Sequence, residues 1–301
     1  TSGHWLNVSG SRINASASRG QSGLWLLHPY DVTIGSSASG TTYASSFVPG
    51  ADSTILASDI ATTLQGGTSV TITTGTSGGS NGDITVASAI TKASGNTDVT
   101  LTLQAANSIV VDQAISNTGG SGKLNVVLDA DNDNGTRDGN GIIMLNNSIS
   151  TGGGNLSFGT GASMSIGGVT TEVGGDVYVG GSSAINLTTG GGNVTVNGEM
   201  LIANTNGLHI TSGGGNVNFG GILNSGNSYA YNSTAGQWNA ALIATKSGTG
   251  AGVGDAYLAT ITSRLENAVV SRTANYQSSW LGGYRGTTDG TTRALDANWR
   301  W

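Results

Sequence analysis

The 301-residue sequence has no cysteine, two prolines and few charged residues, 11 basic and 17 acidic. Without cysteine there is no disulfide scaffold and no cysteine-ligated metal site. The scarcity of proline excludes a collagen-like chain, and an acidic chain with so few lysines and arginines lacks a basic surface for nucleic acid. No run of about 20 apolar residues is present, so we expect no membrane span.

Glycine, by contrast, is abundant, with 51 residues, and 36% of the chain is hydrophobic while the net charge is only −6. Disordered chains usually combine low hydrophobicity with high net charge. The composition therefore favours an ordered fold built largely from small, uncharged residues.

Short runs with apolar residues at every second position recur along the first three quarters of the chain. This period is typical of strands that bury one face, and clusters of Gly, Asn, Ser and Asp between the runs indicate turns. No stretch before residue 235 shows a clear helical period, so we expect no helix there. The clearest strand candidates are Val70–Thr73, Ile84–Val86, Val99–Leu103, Leu124–Leu128 and Val177–Val179.

A Gly-Gly-Gly-Asn motif followed by alternating apolar residues begins at Gly152, Gly190 and Gly213, with a weaker copy at Gly174. The spacing between successive copies is uneven and averages about 20 residues, within the range of solenoid repeats. A repeat of this length cannot bury its own apolar face, so it must stack on its neighbours.

The strands and the repeat together predict an all-β fold, a parallel β-solenoid with coils of about 20 residues. The coils would stack at the strand spacing of about 4.8 Å, with Val, Ile and Leu inside. Glycine would provide corners with positive φ, and asparagines at one position of successive coils would form ladders. An antiparallel β-sandwich or barrel, which also uses short strands and glycine-rich turns, is the alternative.

Composition changes near residue 228, which divides the chain into two predicted domains. Residues 1–245 carry 5 basic and 13 acidic residues, whereas residues 246–301 carry 6 basic and 4 acidic residues. Four of the six tryptophans also lie in the C-terminal quarter. We therefore expect the solenoid to occupy residues 1–227 and a different, α+β fold to occupy residues 228–301.

The segment Ser22–Ile34 resembles the G-x-W-L-L-D-P-x-D-x-T-I segment of filamentous-haemagglutinin-like exoproteins. Its matching core is Trp25-Leu26-Leu27-His28-Pro29-Tyr30-Asp31, with His28 where the family usually has Asp. Ser9–Ser16 and Val99–Ile115 also resemble coils of these proteins, which are large β-helical exoproteins of bacteria, many exported by two-partner secretion. The resemblance implies a right-handed solenoid with a structural, often adhesive, role at a bacterial surface.

Residues 228–301 contain helix and strand signals in a fixed order. A helix is predicted over Gln237–Ala244, then a strand over Ala256–Ser263. The spacing of Ser263 and Glu266 predicts a capping box at the start of a helix from Arg264 to Val270. Further strands are predicted over Trp280–Tyr284 and from Asn298 onward.

This order resembles the first half of a C-type-lectin-like domain, in a bacterial form without disulfides. The matching pieces are Tyr257–Ala268, Trp280–Gly283 and Trp299–Trp301. In that family the calcium and sugar ligands come mostly from the second half of the domain, so no ligand residue is assigned in this segment.

A dense acidic cluster runs from residue 129 to residue 138. Alternate carboxylates followed by glycine can wrap Ca²⁺, a hard cation that prefers oxygen ligands. The spacing is not that of an EF-hand, because Gly135 is seventh and Asn140 is twelfth from the first aspartate. Two alternatives remain, a solvated acidic loop and a calcium site, and calcium is the one cofactor that the sequence suggests. The candidate ligands are Asp129, Asp131, Asp133 and Asp138.

The sequence offers little for catalysis. His4, His28 and His209 are isolated from one another and from other candidate partners, which argues against a triad or a zinc site. Between residues 139 and 227 the charged residues are Glu172, Asp176 and Glu199, too few for the acid–base chemistry of polysaccharide cleavage.

We predict a secreted, non-catalytic bacterial surface protein, in which a rod-like solenoid presents a lectin-like module and acts as a structural and adhesive element. Its expected location is extracellular. Its expected partners are a glycan or another host or cell-surface ligand, and further copies of itself, but neither nucleic acid nor a membrane. Two alternatives are a subunit of a self-assembling filament or sheath and a polysaccharide-active β-helix enzyme.

Overall fold

The computed structural model describes residues 10–17, 23–28, 31–37, 53–75, 81–132, 140–166, 169–172, 174–220, 223–225, 264–273, 285–286 and 292–293. Contacts divide the chain into two compact units, Thr1–Gly226 and Asn227–Trp301. Each unit has one described helix, α1 (Ala57–Gln65) in the first and α2 (Arg264–Thr273) in the second.

The described part of the first unit contains 22 short strands, and the five clearest strand predictions are confirmed. The strands are β1 (Leu24–Leu27), β2 (Val32–Gly35), β3 (Ser53–Leu56), β4 (Ser69–Thr73), β5 (Ile84–Val86), β6 (Ile90–Lys92), β7 (Val99–Gln104), β8 (Ile109–Val111), β9 (Ile115–Asn117), β10 (Leu124–Asp129), β11 (Ile143–Leu145), β12 (Ile149–Ser150), β13 (Leu156–Phe158), β14 (Ser163–Ile166), β15 (Val169–Glu172), β16 (Val177–Val179), β17 (Ile185–Thr188), β18 (Val194–Val196), β19 (Met200–Ile202), β20 (Leu208–Thr211), β21 (Val217–Phe219) and β22 (Leu223–Ser225).

Three parallel sheets form the first unit, and each full coil contributes one strand to each sheet. Sheet I has the order β1-β4-β7-β10-β13-β18-β21, and sheet II the order β3-β2-β5-β8-β11-β16-β19-β22. Sheet III has the order β6-β9-β12-β17-β20. This is the arrangement of a parallel β-solenoid and not of an antiparallel sandwich. The antiparallel hairpin β14–β15 is inserted into one coil, between sheets I and II.

The strand register shows that the coils are longer than predicted and unequal in length. Asn125, Asn155, Asn193 and Asn216 hold the same position in successive coils, and they lie 30, 38 and 23 positions apart. The motif at Gly174 is not a copy of this coil position, because the Val177 that follows it pairs in sheet II. The predicted repeat of about 20 residues was too short because it counted the Gly174 motif, which precedes a strand of sheet II, as a copy of the motifs that precede strands of sheet I.

The interior is a stack of aliphatic rows. One row runs through sheet I and is 0 to 6% exposed from Trp25 to Val194, but Val217 in the last coil is 41% exposed. The core therefore ends at β21, where no further described coil covers it. The row consists of Trp25, Val70, Leu101, Val126, Leu156, Val194 and Val217.

Helix α1 packs on the other end of the core and contradicts the expectation of no helix before residue 235. Ala57, Ile60, Ala61 and Leu64 are buried, at the spacing of one helical face, and α1 contacts β3, β4 and β6. The helical period was present, but the helix has only 9 residues. β-Branched threonines in the same segment favour strands and obscured the period.

The second unit is described in part. Helix α2 begins at Arg264 as predicted and buries Leu265, Ala268 and Val269. β23 (Arg285–Gly286) and β24 (Thr292–Arg293) form an antiparallel pair. The remaining predicted elements, over residues 237–244, 256–263, 280–284 and 298–301, lie outside the described residues. No helix in the described part of the chain is long and apolar enough to cross a bilayer.

Candidate functional site

The first two predicted calcium ligands lie at the corner between sheets I and II. Asp129, the last residue of β10, is fully buried and its Oδ2 accepts a hydrogen bond from Thr160 Oγ1 at 3.3 Å. Asp131 is also fully buried and has a φ of +56°, a conformation that Asp tolerates better than most residues. Its backbone N–H donates to the Asn107 carbonyl at 2.7 Å.

The other two predicted ligands, Asp133 and Asp138, lie outside the described residues. Among the residues that the structure describes, no group of three or more His, Asp or Glu side chains is placed to hold a metal ion. The calcium site therefore stays a prediction from the sequence.

The other acidic and histidine candidates are spread over the solenoid. Asp176 is fully buried, and its Oδ1 accepts the backbone N–H of Glu199, one coil later, at 2.9 Å. His209 is exposed on β20 and pairs in register with Asn186. His28 directly follows β1, and His4 lies outside the described residues.

An asparagine ladder, defined by Asn125, Asn155, Asn193 and Asn216, runs along the N-terminal ends of the sheet I strands β10, β13, β18 and β21. The Oδ1 of each asparagine accepts the backbone N–H of the asparagine one coil later, at 2.9 Å in all three steps. This confirms the predicted ladder. Because each acceptor serves the following coil, the side chains fix the register between coils.

A second ladder lies at the corner where sheet III gives way to sheet I. This corner ladder consists of Lys92, Asn117, Thr151 and Thr189, which occupy the same position of successive coils. Thr151 Oγ1 donates to the Gly154 carbonyl at 2.5 Å and to the Thr189 carbonyl of the next coil at 3.4 Å. The threonine thus joins its own glycine-rich corner to the coil that follows.

Lys92 is the first member of the corner ladder and is fully buried. Its Nζ donates to the carbonyls of Gly122, at 2.8 Å, and Gly95, at 3.3 Å. Burial lowers the pKa of Lys92, and the nearby charge of Asp98 opposes this lowering. Sequence reasoning missed this residue because lysine is normally exposed.

Asn117 lies directly beside Lys92 in the next coil. Its Nδ2 donates to the same Gly122 carbonyl, at 3.0 Å, and to the Thr151 carbonyl, at 3.3 Å. Its Oδ1 is buried and has no hydrogen-bond partner among the described residues. A buried carbonyl oxygen without a donor is unusual and calls for an explanation.

The outer faces of the sheets differ in chemistry. In sheet II, the outward-facing residues at the centre of four successive strands are apolar. One of them is Tyr178, and burial raises the pKa of its hydroxyl. Sheet III has a row of hydroxyls instead. The sheet II row is Val110, Met144, Tyr178 and Leu201. The sheet III row is Thr91, Ser116, Ser150, Thr188 and Thr211.

A polar cleft of about 440 Å³ opens where sheet II turns into sheet III. It is lined by Asp112, Asn146 and Asn147 and by the corner residues 181–185. Asp112 Oδ1 accepts from Asn146 Nδ2 at 2.8 Å, and Ser182 and Ser183 are exposed at the rim. A carboxylate beside amides and hydroxyls can form hydrogen bonds with the hydroxyl groups of a sugar.

Comparison with known proteins adds no relative. No protein-family model matches the chain, and neither the curated proteins nor the solved structures give a significant match.

Proposed function

We propose that this chain is a non-catalytic structural and adhesive protein of the bacterial cell surface, in which the solenoid is a stiff scaffold. The observation that supports the proposal best is the asparagine ladder. Its three successive bonds tie the coils together along sheet I, as a stiff scaffold requires. The resemblance of Ser22–Ile34 to filamentous-haemagglutinin-like exoproteins supports the same role, and that of residues 228–301 supports a lectin-like module in the same chain.

The polar cleft is the place on the solenoid where we expect a glycan to bind. Its volume lies within the range of about 300–1,000 Å³ that is usual for ligand pockets. Asp112 has a second carboxylate oxygen beyond the one bonded to Asn146, and Ser183 is exposed in the same cleft. We expect the ligand to be a neutral polysaccharide, because the cleft is lined by one carboxylate, that of Asp112, and otherwise by uncharged residues.

A glycan array with the full chain tests the adhesive role, with the array supernatant assayed for released sugar. We expect retention on a subset of neutral glycans and no released product. Asp112→Ala and Ser183→Ala should each weaken binding at the cleft, whereas Asn218→Ala, on the exposed outer face of β21, should not. Release of sugar would favour the enzyme alternative, and no retention on any glycan would contradict the adhesive role.

Self-assembly is the second candidate, and the exposure of Val217 favours it. An open coil end is a template for another strand. At the opposite end α1 packs against β3, β4 and β6, so we expect a second copy to join through β20–β22. Sedimentation of the wild-type chain and of the Val217→Asp variant tests this role. We expect the wild type to form an oligomer and the substitution to dissociate it. A monomeric wild type would exclude self-assembly.

A further inference from the structure

Two reactive side chains share one buried acceptor at the first step of the corner ladder. Lys92 Nζ and Asn117 Nδ2 both donate to the carbonyl of Gly122, at 2.8 and 3.0 Å. Their strands, β6 and β9, are parallel neighbours in which Lys92 pairs directly with Asn117. An amine and a carboxamide are therefore held side by side, and both the lysine side chain and the Asn117 Oδ1 are buried.

We propose that Lys92 and Asn117 join in an intramolecular amide bond that covalently links two successive coils of the solenoid. The neutral Nζ of Lys92 attacks Cγ of Asn117, and the bond from Cγ to Nδ2 breaks. One proton passes from Nζ to the departing Nδ2, which leaves as ammonia. The reaction needs no oxidant, reductant or cofactor, because one amide replaces another.

The surroundings supply what this reaction requires of the amine. A lysine attacks only as the neutral amine, and desolvation in an apolar interior favours that form. Burial lowers the pKa of Lys92 for this reason. The charge of Asp98 opposes this lowering without abolishing it.

The unpartnered oxygen of Asn117 fits the same reaction. Its Oδ1 is buried without a hydrogen-bond donor among the described residues. The proton that Nζ loses in the attack can neutralise the charge that develops on this oxygen and then pass to the departing Nδ2. The later members of the corner ladder, Thr151 and Thr189, have no amine or carboxamide, so we expect the bond at this step alone.

Intact mass and peptide mapping of the purified full chain test the proposal. We expect the wild-type mass to be lower than the sequence mass by one ammonia. Digestion with a protease other than trypsin should release a branched peptide that contains both Lys92 and Asn117. Lys92→Arg and Asn117→Ala should abolish the branched peptide, and Lys123→Ala, at an exposed lysine, should leave it unchanged.

The branched peptide is the deciding readout, because a succinimide at an Asn-Gly sequence such as Asn140-Gly141 also loses ammonia. Recovery of Lys92 and Asn117 in separate, unmodified peptides from the wild type would overturn the proposal. That result needs no variant, so it holds even if a substitution prevents folding.

Discussion

The backbone N–H of Asn193 donates to Oδ1 of Asn155, its counterpart one coil earlier, at 2.9 Å. The two residues are 38 positions apart, because the hairpin β14–β15 is inserted between them. The same bond nevertheless recurs between Asn193 and Asn216, which are separated by a much shorter coil. Coil length varies in this solenoid, but the contact between coils does not.

Asn155→Ala should lower the free energy of unfolding by about 1 kcal/mol, since it leaves the Asn193 N–H without its acceptor. Asn155→Asp keeps an acceptor and should cost less. Asn218→Ala is the control, because Asn218 is exposed and its side chain forms no hydrogen bond with the described residues. Urea denaturation of the three variants measures the effect, and equal stability of Asn155→Ala and Asn218→Ala would contradict the ladder.

Gly192→Ala should destabilise the solenoid by about 1–3 kcal/mol, the usual cost of overpacking. Gly192 is the third glycine of its motif, and a Cβ there would clash with the carbonyl oxygen of Gly154 in the preceding coil. Gly66→Ala is the matched control, because a Cβ at the end of α1 meets ordinary contacts of 3.4 Å or more. Thermal unfolding compares them, and a Gly192 variant as stable as the control would show that the coils pack less closely.

When the Lys92 amine is free, as in the Asn117→Ala variant, the free energy of unfolding should depend on pH. Its folded-state pKa is lowered from 10.5 by burial, so between that lowered pKa and 10.5 the unfolded chain binds more protons. The free energy of unfolding should therefore rise with pH in this window. The double variant Asn117→Ala/Lys92→Met should lack this rise in urea denaturation at successive pH values, and parallel pH profiles would contradict the burial of the amine.

The calcium hypothesis predicts that Ca²⁺ raises the melting temperature of the chain and that Mg²⁺ does so less, because the site would offer flexible carboxylate ligands. Asp133→Asn should reduce the effect, whereas Asp98→Asn, outside the acidic cluster, should not. A melting temperature insensitive to Ca²⁺ would favour a solvated acidic loop.

The strands were predictable from the sequence because their period does not depend on coil length. Val99–Leu103 alternates regularly although the coils that connect it to β4 and to β10 differ in length. The coil length itself was not predictable, since insertions at the corners, such as β14–β15, change the spacing and leave the register intact. Three members of the asparagine ladder were predictable, because the motif places Asn155, Asn193 and Asn216 directly before a strand. The fourth, Asn125, has no such motif and lies inside β10.

The buried corner was not predictable from local sequence. Lys92 follows Thr91 in a strand with alternating burial, which places it inside, but its acceptor Gly122 lies 30 positions away. Nothing near Lys92 in the sequence shows that two backbone carbonyls converge on that point. The third glycine of each motif is needed because the backbone of the preceding coil lies too close for a Cβ, and not because its φ is positive. Only the stacked structure shows this role.

Cysteine pairing tests the stacked parallel register most directly, because the chain has no cysteine of its own. Ser157 pairs with Thr195 in adjacent strands, whereas Thr102 and Ser157 are separated by the strand that contains Val127. Disulfides require Cα atoms within about 7 Å, a limit that neighbouring strands meet and strands two positions apart do not. Mild oxidation should crosslink Ser157→Cys/Thr195→Cys and leave Thr102→Cys/Ser157→Cys free. Failure of the first pair, or equal crosslinking of both, would contradict the solenoid.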